Sequence, residues 1–367
     1  MRFLEVIGGW INRHFSNEEA IYLVVLIVII STVVFIFGSM LAPVLIGLIV
    51  AFLLQGLVKR LVDAGLGGGL AVYLTFIIFL GALIALVLFV VPIVWQQLRA
   101  LVDALPNGIV QVQALIRDLA NTSPGGLVTP EQVDKWLGSL TGELGNLSRR
   151  LLNTLLTQVP SVVALMIYTV IVPFSVFFFL KDRDELMRWF LSLLPEERPL
   201  LDRVGAEMNL QLANYVRGKF VEILIVGVTT YVTFVLFGLN YAALLAVLVG
   251  LSVLIPFVGA AVVTIPVALV AVVQFGWSLP LAGVLGAYLI IQFLDGNFLV
   301  PLLISSAVNL HPITIISAVL AFGGLWGIWG VLFAIPLATL VKSIYNAWPR
   351  QEELAEASGD GLVEVDG

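Results

Sequence analysis

The sequence predicts an all-α, polytopic integral membrane protein with about eight transmembrane helices, some of them broken or re-entrant in the C-terminal half. Three observations carry this expectation. Of 367 residues, 60% are hydrophobic and only 11% are charged, against about a quarter charged in a soluble domain. Uncharged stretches longer than the roughly 20 residues of a bilayer-spanning helix recur along the chain. From Ile223 to Val341, 119 residues contain one formally charged side chain, Asp295.

No charge occurs in the 39 residues from Ala20 to Val58. That is too long for one crossing at about 1.5 Å per residue, so two helices are expected, Ile21 to Phe37 and Leu41 to Val58, with a break at Gly38, Ser39 and Pro43. Glu5, Glu18 and Glu19 precede this stretch and no small-residue cleavage site follows, so no removed signal peptide is expected. After Lys59, Arg60 and a glycine-rich turn, a third span from Leu70 to Val94 completes an N-terminal membrane region of residues 1–94.

Residues 95–160 hold five bases and five acids with apolar residues at helical spacing, which reads as an extracytoplasmic helical region near the surface. Residues 161–180 form a fourth span. The polar residues 181–219 read as cytoplasmic amphipathic helices around Leu186 to Leu194 and Pro199 to Val216. Residues 220–345 form the C-terminal membrane region, with candidate spans Phe220 to Phe237, Ala242 to Phe275, Leu279 to Leu303 and Ile313 to Val341. Residues 346–367, rich in acids and small residues, are expected to be a disordered tail.

Loops rich in Lys and Arg stay on the cytoplasmic side. With the N-terminus inside, thirteen of the 18 bases are cytoplasmic and five external. Both termini are therefore expected in the cytoplasm.

The late segments carry helix breakers. Ala242 to Phe275 spans 34 residues, about 51 Å if helical throughout, and contains Pro256, Gly259 and Pro266. Gly296 and Pro301 interrupt the next segment, and Gly323, Gly324, Gly327, Gly330 and Pro336 the last. Bare backbone cannot face lipid, so such breaks imply protein burial or a water-lined cavity, where transporters place their binding sites. Ile265 to Val270 (IPVALV) also resembles Ile335 to Leu340 (IPLATL), a hint of an internal repeat.

Asp295 is the leading candidate for a substrate or ion site, because a carboxylate at mid-membrane costs at least about 2.5 kcal/mol and marks ion, proton or substrate paths. Gln292 shares its helix face at a spacing of three, and Asn297 follows. The competing reading is a half-helix cap near the headgroups. Asn309 and His311 form a polar break before the last segment, where an imidazole can titrate near neutral pH. Arg217 and Lys219 open the fifth span as a cytoplasmic gate or as interface anchors.

Several chemistries are disfavoured. No cysteine occurs and only His14 and His311 are present, so neither a metal centre nor thiol chemistry is expected. No phosphate-binding glycine motif is present, and Asp295 has no acidic companion between Ile223 and Val341 to form a proton-sharing dyad. No catalytic residues and no cofactor are expected.

The ordered motifs Asn214 to Lys219 (NYVRGK), Ile255 to Gly259 (IPFVG), Gln292 to Pro301 (QFLDGNFLVP), Asn309 to Pro312 (NLHP), Gly323-Gly324 and Ala334 to Ala338 (AIPLA) resemble those of the autoinducer-2 exporter (AI-2E) family of PerM-like permeases. Leu45 to Gln55 and Val172 to Arg183 agree with it. One departure is Ala260 after Gly259, where the family often has proline. The resemblance implies a bacterial inner-membrane permease that exports the furanosyl signal autoinducer-2 or exchanges sodium or lithium for protons. Expected partners are membrane lipid, a small polar solute or monovalent cation with protons, and further copies of the chain in a homo-oligomer. No nucleic acid is expected. A scaffold that docks partners without transport is the remaining alternative.

Overall fold

The computed structural model describes residues 18–122, 138, 142, 162–256, 258–304 and 310–347. Among them every regular element is helical: α1 (Glu18–Asp63), α2 (Gly68–Ala85), a π turn (Leu86–Val90), α3 (Val91–Thr122), α4 (Val162–Lys181), α5 (Arg183–Ser192), α6 (Pro199–Leu236), α7 (Ala242–Ser252), α8 (Val258–Phe275), α9 (Leu279–Leu294), a second π turn (Asp295–Leu299), α10 (Val300–Ile304), α11 (Pro312–Leu332) and α12 (Ala334–Ala347). Among the described residues six segments are long and apolar enough to cross a membrane: Ile21–Gly38, Met40–Asp63, Gly68–Ala114, Pro199–Leu236, Val258–Phe275 and Leu279–Leu303. Shorter apolar helices lie at Ile167–Lys181, Ala242–Ser252, Ile313–Gly327 and Ala334–Ile344. The chain is an all-α, multi-pass membrane protein.

Several expected boundaries move. The two spans expected between Ile21 and Val58 are found as Ile21–Gly38 and Met40–Asp63, but no break in the helix separates them: α1 runs for 46 residues with Pro43 inside it. One missing N–H does not end a helix when the apolar surroundings offer the freed backbone no better partner. The third expected span does not stop at Val94, because α3 continues from Val91 to Thr122. The amphipathic helix expected from Pro199 to Val216 and the fifth span are one helix, α6, of 38 residues. The acidic tail and most of residues 123–161 lie outside the described residues.

The chain divides into two compact units. One comprises the described residues of Met1–Ile46, Asp182–Tyr215 and Ser306–Gly367. Here Leu23, Leu200, Leu201 and Val204 bury one another, with Leu340 and Ile344 against them. The Glu19 carboxylate accepts the Leu200 amide at 2.8 Å, supplying an acceptor where the first turn of α6 has none of its own. The last expected span does break, at Gly327, whose backbone (φ 61, ψ −137) leaves the helix. A residue with a Cβ is strained there. The chain reverses so that Gly330 lies against the Phe322 carbonyl and Gly323 against Val331. Gly324 stays helical and exposed with open space around it. Pro336 sits in the first turn of α12, where its missing N–H costs nothing, whereas Pro266 is inside α8. The two prolines of the similar sequences thus occupy different helix positions.

The other unit comprises the described residues of Gly47–Lys181 and Val216–Ser305. Ala51, Val58, Ala71, Val176 and Leu180 from α1, α2 and α4 form one of its buried clusters. Gly47 lets α1 approach α4 so closely that an added Cβ would lie 2.5 Å from the Ser175 Cβ. The larger cluster joins α6, α7, α8 and α9 through Phe234, Leu245, Val249, Val267, Val284 and Tyr288. Backbones cross there without side chains between them, since a Cβ on Gly250 would stand 3.1 Å from the Gly227 Cα. Small residues are how membrane helices pack where lipid supplies no hydrophobic drive between them. The Gln97 side chain of α3 accepts the Leu244 amide at 2.8 Å, and α3 packs on α7 and α8. Gln274 clips the turn before α7, accepting from the Asn240 amide and donating to the Gly238 carbonyl, each at 2.7 Å.

As the length of Ala242 to Phe275 requires, that segment breaks, with α7 ending at Ser252 and α8 starting at Val258. Pro256 lies in the break, and Gly259 packs directly on the Ser252 carbonyl, leaving no room for a Cβ. Replacing Gly259 by Ala forces that contact apart and is expected to cost about 1 to 3 kcal/mol. Gly286→Ala, in open space on α9, is expected to be neutral or to stabilise by up to about 1 kcal/mol. Thermal unfolding of the two purified variants in one detergent checks the contrast.

Candidate functional site

The site is built on α6 where it passes the break between α7 and α8. Lys219 and Glu222 are three residues apart and share a helix face. Lys219 is 6% exposed and Glu222 1%. The Lys219 ammonium donates to Glu222 Oε1 at 2.9 Å and to the Val253 carbonyl at 2.8 Å. Val253 is the first residue after α7, so its carbonyl belongs to the broken stretch. A buried ion pair holds together only when its remaining hydrogen-bonding capacity is met, and the break supplies that second acceptor.

Asp295 approaches from α9, at the first position of the π turn, and interacts electrostatically with both Lys219 and Glu222. The wide turn is closed by the Val300 amide donating to the Asp295 carbonyl. It replaces the open break expected at Gly296 and Pro301, because the ladder widens by one residue instead of ending. Gly296 and Pro301 are both exposed on it. Such turns are frequent at functional sites. Asp295 and Gln292 are half-buried, and Asp295 Oδ1, Gln292 Nε2 and Glu222 Oε2 are buried atoms with no hydrogen-bond partner among the described residues. One base against two acids leaves the cluster with an excess negative charge when all are ionised. Below it, the Tyr288 and Thr264 hydroxyls bond at 2.9 Å.

A cavity of about 250 Å³ lies beside Asp295, between α6 and the stretch from α9 to α10. It is walled by Ile225, Val226 and Thr229 on one side and by Leu294, Phe298 and Leu302 among others on the other.

Of the residues singled out from sequence, Asp295 comes within electrostatic reach of Lys219, and Gln292 lies one turn before Asp295 on α9. Asn297 is exposed and its side-chain amide donates to the Phe293 carbonyl at 2.9 Å. His311 belongs to the other unit, where its Nδ1 accepts the Ile313 amide at 3.3 Å and caps α11. Asn309 lies outside the described residues. Arg217 is exposed, its guanidinium beside Gly56 of α1 at 3.6 Å from the position of an added Cβ.

Two sequence inferences need correction. Lys219 is not an interface anchor, because it is buried and doubly bonded. Asp295 does have an acidic companion, Glu222, directly before the uncharged stretch that begins at Ile223. Glu222 reads as the end of a polar segment because fourteen other charges precede it from Lys181 onward. Its spacing of three from Lys219, with an apolar helix already under way, was the available signal.

Replacing Lys219 by Met strands a buried carboxylate and is expected to destabilise by about 3 to 5 kcal/mol. The double variant Lys219→Met/Glu222→Leu removes the stranded charge and is expected to recover most of that loss. Unfolding midpoints of the parent, single and double variants in the same micelles test this.

The comparisons with known proteins agree with this architecture. The description of an AI-2E family transporter matches residues 22–350. The chain is 42% identical over 346 residues to the inferred permease PerM of Escherichia coli (strain K12), covering 94% of this chain and 98% of that protein. It is 28% identical over 343 residues to the inferred transport protein YueF of Bacillus subtilis (strain 168), covering 90% and 92% respectively. With an inferred transport protein of Thermotoga maritima it shares 23% identity over 350 residues, 92% and 97% of the two chains. The chain belongs to the AI-2E family of transporters.

Proposed function

We propose that this chain is a secondary transporter, not an enzyme, and that the Lys219, Glu222 and Asp295 cluster is the charged element of its transport site. The observation that carries this reading is a buried ion pair joined to a helix break, with a further carboxylate on a π turn beside it. Three charges in a low-dielectric helix layer are costly, and unpartnered carboxylate oxygens at Glu222 and Asp295 are acceptors for something that comes and goes. No phosphate-binding motif occurs in the sequence, so uphill movement draws on an ion gradient. A small polar solute, autoinducer-2 first, is the cargo that family membership suggests. Exchange of sodium or lithium for protons is the second reading, favoured by the cluster's excess negative charge. Family membership suggests the bacterial cytoplasmic membrane, and the distribution of basic residues favours both termini inside.

Asp295→Asn preserves shape and removes the charge. In vesicles reconstituted with equal amounts of folded protein, it is expected to lower flux by about tenfold or more, which corresponds to about 1.4 kcal/mol of lost stabilisation. Labelled autoinducer-2 uptake and the response of an interior pH dye to sodium or lithium, measured across pH, separate the two cargo readings. Flux equal to that of the parent would sink the transport role of Asp295 and favour a scaffold.

A further inference from the structure

The walls of the cavity beside Asp295 offer apolar surface that a bare ion or a polyol bound at the carboxylate would not use. Apart from Asp295 and the Thr229 hydroxyl, the side chains lining it are hydrocarbon or aromatic. It lies between α6 and the α9 to α10 stretch, and its rim is open: Phe298 is 62% exposed, Leu302 80% and Leu294 47%. In a membrane-spanning layer such a rim faces the hydrocarbon, so the cavity is a lateral groove with one carboxylate at its inner edge. Sodium or lithium would leave the apolar walls unused, and a polyhydroxylated solute would press its hydroxyls against them at a desolvation cost.

Charge fixes the other half of the ligand. Lys219 already serves Glu222 and Val253, and Asp295 Oδ1 has no partner among the described residues. Gln292 Nε2, the other unpartnered group nearby, is a neutral donor and leaves the excess negative charge of the fully ionised cluster in place. The complementary occupant is therefore a monovalent cation with an N–H to donate.

We propose that the groove between α6 and the α9 to α10 stretch binds a lipophilic organic monocation, a protonated amine whose N–H donates to the Asp295 carboxylate at the inner edge and whose hydrocarbon body lies along Ile225, Val226, Leu294 and Phe298. This rests on the reading of Asp295 as the functional carboxylate and adds, beside the cargo named there, a ligand class that the apolar groove at the same carboxylate takes. The volume of about 250 Å³ holds roughly eight groups of about 30 Å³ each, the size of a chain of six to eight carbons. Each methylene buried there tightens binding by about three- to fourfold until the groove is full.

The test is isothermal titration of the full chain in phosphatidylcholine nanodiscs, with empty nanodiscs subtracted, using butyl-, hexyl- and octylammonium chloride and hexanol. Affinity is expected to rise about three- to fourfold per methylene along the series. Hexanol is expected to bind at least about tenfold more weakly than hexylammonium, and Asp295→Asn to abolish that difference. Thr229→Phe, at an exposed wall position, is expected to end the rise at a shorter chain and keeps the test open should Asp295→Asn fail to fold. Affinity that is flat with chain length, or equal in parent and Asp295→Asn, overturns the proposal. If that happens while Asp295→Asn still loses vesicle flux, only the ligand class has failed. If Asp295→Asn also transports like the parent, the underlying transporter site has failed with it.

Discussion

The bridge from the Lys219 ammonium to Glu222 and the Val253 carbonyl is the interaction on which the functional unit turns. A lysine buried among membrane helices needs both a counter-charge and further acceptors, since either alone leaves desolvation uncompensated. Here the counter-charge comes from one turn along the same helix, and the second acceptor from a carbonyl that a continuous helix would not have left free. The break between α7 and α8 and the charge on α6 therefore require each other. The break exposes a polar group that needs a donor, and the ammonium is that donor.

Close backbone approach makes this possible. Gly227 and Gly250 bring α6 and α7 together, and Gly259 lets α8 begin against the end of α7. Without a hydrophobic drive between helices in lipid, van der Waals contact of bare backbone is what holds such crossings. Packing this tight also holds the lysine within reach of Val253. The π turn at Asp295–Leu299 adds a different device. It keeps the backbone hydrogen-bonded while widening the helix by one residue, so a carboxylate and an adjacent groove can occupy a membrane segment without an open end.

The two kinds of interruption divide the labour. After Ser252 the helix ends and exposes a carbonyl that a charged side chain takes up. At Gly327, in the other unit, the chain leaves the helix at positive φ and folds back on itself, with Gly330 packed on Phe322. One interruption is tied to ionisable groups, the other to glycine packing.

Much of this was legible in composition. The scarcity of charge and the length of the uncharged runs settle the class, because hydrocarbon rejects both charges and unpaired backbone. The segment from Ala242 to Phe275 had to break on length alone, and the isolation of Asp295 marked it as costly wherever it lay. The continuity of α1 through Pro43, of α3 past Trp95 and of α6 through Arg217 was not legible, because a breaker's effect depends on what the freed backbone can find around it. Nor was the partnership of Lys219 and Glu222 with Asp295, some seventy residues away in the sequence, since electrostatic companionship is set by distance in space. The sequence by itself determined that an ionisable group would sit among membrane helices. Only the tertiary structure decided that it stands beside a buried ion pair at a helix break, because helix packing alone brings the charges of α6 and α9 and the carbonyl after α7 close enough to meet.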